Sequence, residues 1–148
     1  MLLKQRNIWL DHEQLDYICI TTNSVVKKNG ELVMGAGNAD QAQKKIPNIA
    51  KLFGELITNK GKRMGVYNLV AVGKYIAFQT KIHYADPSPL EVVQKSCDIL
   101  NKLARKYPNK IFGLPFPAIN NGKRTVAEIM PMLVPLPDNV HVYHLKPL

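Results

Sequence analysis

Two long stretches of this chain repeat apolar residues at alternating intervals of three and four, and short β-branched runs lie around them. Ala39, Ala42, Ile46, Ile49, Phe53 and Leu56 make the first series. Leu90, Val93, Cys97, Leu100, Ala104 and Tyr107 make the second. Such spacing gathers each series on one face of a helix, which turns every 3.6 residues. The runs Tyr17 to Thr21, Val66 to Val72, Tyr75 to Thr80, Ile111 to Phe116 and Val140 to Leu145 read as strands. Strands alternating with helices predict an α/β domain, with a mostly parallel or mixed sheet covered by helices on both faces. No linker or repeat divides residues 1–148, so one domain is expected.

Local signals punctuate this pattern. Asn29-Gly30 predicts a hairpin between Val25 and Met34, and Gly73-Lys74 a second one. Pro47 kinks the first helix or starts another. Ser88-Pro89-Leu90-Glu91 and Thr125-Val126-Ala127-Glu128 both read as capping boxes, each opening a helix.

Composition narrows the class. Hydrophobic residues are 46% and charged residues 21% of the chain, the balance of a globular protein. Met1 to Arg6 has no apolar run resembling a signal peptide, and no stretch nears the roughly 18 apolar residues of a membrane helix. A cytoplasmic protein without a membrane partner is expected. The two cysteines, Cys19 and Cys97, sit in apolar segments and read as buried free thiols. His141 and His144 would point to opposite faces of a strand, and no metal site is expected. The net charge of +9 favours an anionic partner, although the basic residues are scattered along the chain.

One segment carries chemistry. Val33, Met34, Gly35, Ala36 and Gly37 run directly into a helical pattern. Glycines at a helix start let the backbone approach an anion, and the free amides of the first turn point at it. The segment is neither a Walker loop, since Ala36 and Gly37 stand where Lys and Ser/Thr belong, nor a dinucleotide fingerprint, since Asp40 replaces the third glycine.

The order of strand, Thr22-Asn23, hairpin and Val33-Met34-Gly35-Ala36-Gly37-Asn38-Ala39 resembles the macrodomain family over nearly the whole chain. Phe78-Gln79-Thr80-Lys81 is similar to the Phe-Pro-Thr-Lys of its branch of DNA and glutamate-type ADP-ribosyl glycohydrolases, and Leu114-Pro115-Phe116-Pro117 leads into a second ligand loop. The resemblance implies a three-layer α/β/α fold with a central mixed sheet that binds ADP-ribose, with no cofactor. It implies adenine recognition by Asn7 and Ile8, in place of the family's Gly-Asp-Ile. Asn23 would contact the distal ribose, and Val33, Met34, Gly35, Ala36 and Gly37 the diphosphate. The second loop would be Pro117, Ala118, Ile119, Asn120, Asn121 and Gly122, where relatives carry Gly-Cys-Gly, an Asn or Asp, and Gly.

Lys81 matches a lysine near the ribose anomeric carbon. Two readings stand for it: a nucleophile when its pKa is lowered, or an ordinary cation facing phosphate or water. The family's second-loop acid is missing, since Pro115 to Ala127 contains no carboxylate. The implied functions are hydrolysis of ADP-ribose from DNA or protein, or its non-catalytic reading or sequestration. A basic nucleic-acid-binding domain without a pocket is the third.

Overall fold

The computed structural model describes residues 1–61 and 63–148. Six strands form one sheet: β1 (Leu2–Gln5), β2 (Tyr17–Thr22), β3 (Leu69–Val72), β4 (Tyr75–Gln79), β5 (Phe112–Pro115) and β6 (Val140–His144). Their order is β1-β6-β5-β2-β4-β3. All neighbours are parallel except β3, which returns antiparallel along β4 from the Gly73 turn.

Among the described residues four α-helices cover the sheet: α1 (Gly37–Lys45), α2 (Ile49–Lys60), α3 (Leu90–Lys106) and α4 (Val126–Leu133). Alternate residues of a strand face opposite sides, and β2 shows the result. Cys19 packs with Val93, Leu100 and Ile129 of α3 and α4. Its neighbour Ile20 packs with Ala42, Phe53 and Ile57 of α1 and α2. A third cluster of Ile8, Leu15, Ile18 and Tyr143 fills the face left beside β5 and β6. This is the three-layer α/β/α arrangement expected of the sequence.

Several boundaries differ from the sequence reading, each for a local reason. The apolar series from Ala39 divides into two helices at Pro47 and Asn48, where Asn48 takes the left-handed φ of 62°. The Val25–Met34 hairpin turns at Gly30 (φ 88°) but pairs through a single bridge, Val26 with Leu32. Leu32 gives its amide to the Ala50 carbonyl of α2 instead, at 2.9 Å. Of Val66 to Val72, only Leu69–Val72 is a ladder, because Asn68 is left-handed and the Tyr67 and Asn68 amides bond a side chain. Tyr107 lies beyond α3 and is exposed rather than on its buried face. β1 was not apparent, since three of its four residues are exposed and only its pairing with β6 defines it.

The Thr125 capping box is present in both directions. The Ser88 one is not: α3 starts after Pro89 with no side-chain cap. Ser88 is instead drawn to the second loop, its amide donating to Gly122 O (2.9 Å) and its carbonyl accepting from Arg124 Nε (2.7 Å). Both cysteines are buried and free, and burial pushes the Cys97 thiol up to about 12 and Cys19 higher still. Among the described residues no helix is long and apolar enough to cross a membrane.

Gly54 of α2 sets how closely the hairpin approaches. A Cβ there would sit 1.9 Å from the Gly30 carbonyl oxygen. Backbone, unlike a side chain, cannot swing away from such a clash. Gly54→Ala is expected to lower stability by about 2–3 kcal/mol, the upper range for overpacking, as read by urea denaturation.

Candidate ligand-binding site

The parallel strands β2, β4 and β5 end on the same edge of the sheet, and the chain leaving each one builds a wall of a cleft of about 600 Å³. Ligands of open α/β sheets bind at this position. After β2 come Asn23 and the Val33–Gly37 segment, after β4 come Thr80, Lys81 and Tyr84, and after β5 come Phe116, Ala118 and Asn120 to Lys123.

The first wall is a helix start. Gly35, Ala36 and Gly37 are exposed, and no side chain caps α1. Among the described residues, no carbonyl accepts from the amides of Gly35, Ala36, Gly37, Asn38 or Ala39; the first amide of the helix to find one is Asp40, on Ala36 O at 3.2 Å. These donors and the positive end of the helix dipole face the cleft. Gly37 has a φ of 57°, which favours glycine, and a Cβ on it would lie 3.2 Å from Asn121 Nδ2 across the cleft. A Cβ on Gly35 would meet nothing within 4 Å, so its missing side chain leaves room for a ligand rather than for protein.

The wall after β5 takes a glycine-like backbone at two residues that are not glycine. Ala118 and Lys123 take φ of 69° and 57°, both left-handed. The turn closes through Lys123 N to Asn120 O (3.2 Å) and Arg124 N to Ala118 O (2.8 Å). At Gly122 a Cβ would be 2.6 Å from the Ala118 Cα and carbonyl oxygen, so this glycine is required by packing.

Lys81 reaches into the cleft from the wall after β4. Its Nζ donates to the Tyr84 carbonyl at 3.0 Å. Partial burial holds its pKa below the usual lysine range, and Lys123 opposite adds to that; Asp86 pulls the other way. No Asp or Glu lines the cleft among the described residues, and Asp86 is the carboxylate whose charge Lys81 feels.

Of the residues singled out in the sequence, Asn23, Val33, Met34, Gly35, Ala36, Gly37, Lys81, Ala118, Asn120, Asn121 and Gly122 meet around this cleft. Asn7, Ile8, Pro117 and Ile119 do not line it. Asn7 caps a single 3-10 turn, Ile8–Asp11, its Oδ1 accepting from Trp9 N at 3.0 Å. Ile8 is 5% exposed and packs beneath Gly113. Pro117 is buried, and Ile119 packs against the α3 and α4 core. Asn23 is on the wall but is engaged by its own chain: Nδ2 donates to Val33 O and Oδ1 accepts from Val25 N, both at 2.9 Å. Its side chain ties the end of β2 to the glycine segment.

Tyr84, Phe116 and Lys123 line the cleft and Gln79 is buried at the end of β4; none of the four was singled out as a site residue in the sequence. Tyr84 and Lys123 carry no sequence signal, because only the turns bring them to the cleft. Gln79 did carry one, standing where the resembling motif has proline.

The site is thus a cleft at the strand ends of an α/β/α domain, lined by an uncapped helix start, a left-handed turn and a lysine. The fold is that of macrodomains. The macrodomain of Thermus aquaticus DarG superposes with a TM-score of 0.75 at 21% identity, over 99% of this chain and 97% of that one. That of Mycobacterium tuberculosis DarG gives 0.73 at 22% identity, over 96% and 97%. Thermosipho africanus DarTG, solved in complex with ADP-ribose, gives 0.74 at 16% identity over 95% of this chain, which spans 40% of that protein. No protein-family model and no curated protein matches the sequence.

The electrostatics of the lysine pair can be read directly. Amine-selective modification of Lys81, followed by mass spectrometry across pH, should show a midpoint below that of ordinary lysine. Lys123→Gln removes a like charge and should move that midpoint up; a midpoint that stays or falls would separate the two residues.

Proposed function

We propose that the cleft binds ADP-ribose, free or as an ADP-ribosyl group on DNA or protein, and that Lys81 acts on the ribose it carries. The unspent amides at the start of α1, opening into a cleft that also holds Lys81, carry this reading. A diphosphate is the ligand part that suits them: two adjoining anionic groups can take several backbone N–H donors together with the helix dipole. The ADP-ribose complex of the Thermosipho relative supports the choice of nucleotide.

In this proposal the diphosphate lies against Gly35 to Gly37 and the distal ribose between Asn121 and Lys81. A lowered pKa gives Lys81 a larger free-amine fraction near neutrality than an ordinary lysine has. That amine attacks the anomeric carbon. The new C–N bond forms as the bond to the acceptor breaks, the acceptor leaving with the electron pair and taking up a proton. Water then releases ADP-ribose and restores the amine.

A second reading rests on the absence, among the described residues, of any carboxylate from the cleft lining. With no carboxylate in that lining to assist Lys81, the protein would hold an ADP-ribosyl group without cleaving it, as a reader or sequestering module. Ligand recovered intact from a slowly dissociating complex selects this reading.

Titration calorimetry should show ADP-ribose binding more tightly than AMP or NAD; no heat with ADP-ribose would remove the proposal. Gly37→Val, strained at its φ and crowding Asn121, should weaken binding at least tenfold, about 1.4 kcal/mol. Lys81→Ala should abolish release of ADP-ribose from modified DNA or protein while keeping affinity within a few-fold. Equal turnover by wild type and Lys81→Ala would take Lys81 out of the chemistry.

A further inference from the structure

We infer that Gln79 is a positioning residue for Lys81, a buried amide that fixes the backbone beneath the lysine and ties it to the 65–68 segment. The inference rests on the role proposed above for Lys81, and nothing in that proposal requires it. Gln79 is 0% exposed at the end of β4. Its Oε1 accepts from Tyr67 N (2.8 Å) and Asn68 N (2.9 Å). Its Nε2 donates to Gly65 O (2.8 Å) and to Lys81 O (2.9 Å). A glutamine side chain offers two donors and two acceptor lone pairs, and here all four are used.

The Lys81 peptide is therefore held on both sides. Its carbonyl accepts from Gln79, and its amide donates to Thr22 O at 3.2 Å. The other end of the Gln79 amide grips a segment whose backbone is unusual. Met64, Gly65 and Asn68 all have left-handed φ, of 56°, 79° and 66°. Two non-glycine residues in that region cost energy unless surrounding bonds hold them. Tyr67, in the same segment, is buried, and its hydroxyl donates to Asn23 O at 2.7 Å while Thr22 Oγ1 donates to it. Gln79 and Tyr67 thus join the ends of β2 and β4, which carry two walls of the cleft. The buried polar atoms are paired throughout, as such a cluster requires to be stable. A methionine at 79 would fill the space and make none of the four bonds.

The test is Gln79→Met in the full chain, with Ile129→Val as a control that weakens the core on the far side of the sheet. Amine-selective modification of Lys81 across pH is read by mass spectrometry in both variants, below their melting temperatures. Gln79→Met should shift the Lys81 midpoint toward that of ordinary lysine, as the freed backbone lets the side chain swing into water. Ile129→Val should lose thermal stability and leave the midpoint unchanged. Where wild type turns over, Gln79→Met should lower kcat about tenfold with KM within about twofold, as expected for lost positioning of a reacting group. An unchanged Lys81 midpoint in folded Gln79→Met overturns the inference. Should that variant not fold, NMR of the wild type decides. Slowly exchanging Gln79 side-chain amide protons in contact with the Lys81 backbone support the inference, and fast exchange defeats it. Wild type without ADP-ribose binding or turnover would sink the proposed function alone, since neither the modification nor the NMR measurement uses a ligand.

Discussion

Parallel pairing of β2 with β4 on one side and β5 on the other is the constraint from which the rest of the structure follows. Parallel neighbours end on the same edge, so the chain leaving all three strands must turn within one small region. Each exit then contributes something different: unspent amides after β2, a lysine after β4, and a left-handed turn after β5. Antiparallel pairing would have sent these segments to opposite edges. β3 is the antiparallel strand, and it lies at the sheet's edge, away from the β2 and β5 walls.

A cleft lined by exposed loops needs something stiff under it. Here that support is polar rather than apolar. Thr22, Asn23, Gln79, Thr80 and Ser96 are all buried just below the strand ends. Ser96 of α3 donates to Gln79 O at 2.8 Å, which brings the helix into the same network. Each of these groups would cost about 1–3 kcal/mol if left unpaired. Satisfied, they favour one arrangement of the loops over near alternatives, which apolar packing alone does less sharply.

Charge is unevenly supplied around the cleft. The amides and dipole of α1 attract an anion at one end, while Lys81 and Lys123 repel each other at the other. An anionic ligand relieves both conditions at once. Partial burial first, and repulsion from Lys123 second, disfavour the charged form of Lys81, so folding stability gains from its deprotonation. Its folded pKa lies below the unfolded value of 10.5, so the unfolded chain binds more protons between those two values, and stability rises with pH across that window.

What the residues alone determined is what depends on local periodicity and on backbone freedom. The three-four spacing located α1, α2 and α3, the β-branched runs located five of six strands, and Gly35 and Gly37 marked the helix start that faces the cleft. These are properties of a few neighbouring residues, and the chain needs no distant partner to express them. Tertiary structure decided where long-range partners compete for the same residue. Ser88 holds the second loop through its backbone and does not cap α3, Asn23 spent its amide on Val33 and Val25, and Asn7 became the cap of a 3-10 turn. β1 exists only because β6 is there to pair with, and the Gln79 side chain bonds atoms as much as 14 residues away. A polar side chain or an exposed strand has several partners of nearly equal worth, and only the completed fold selects among them.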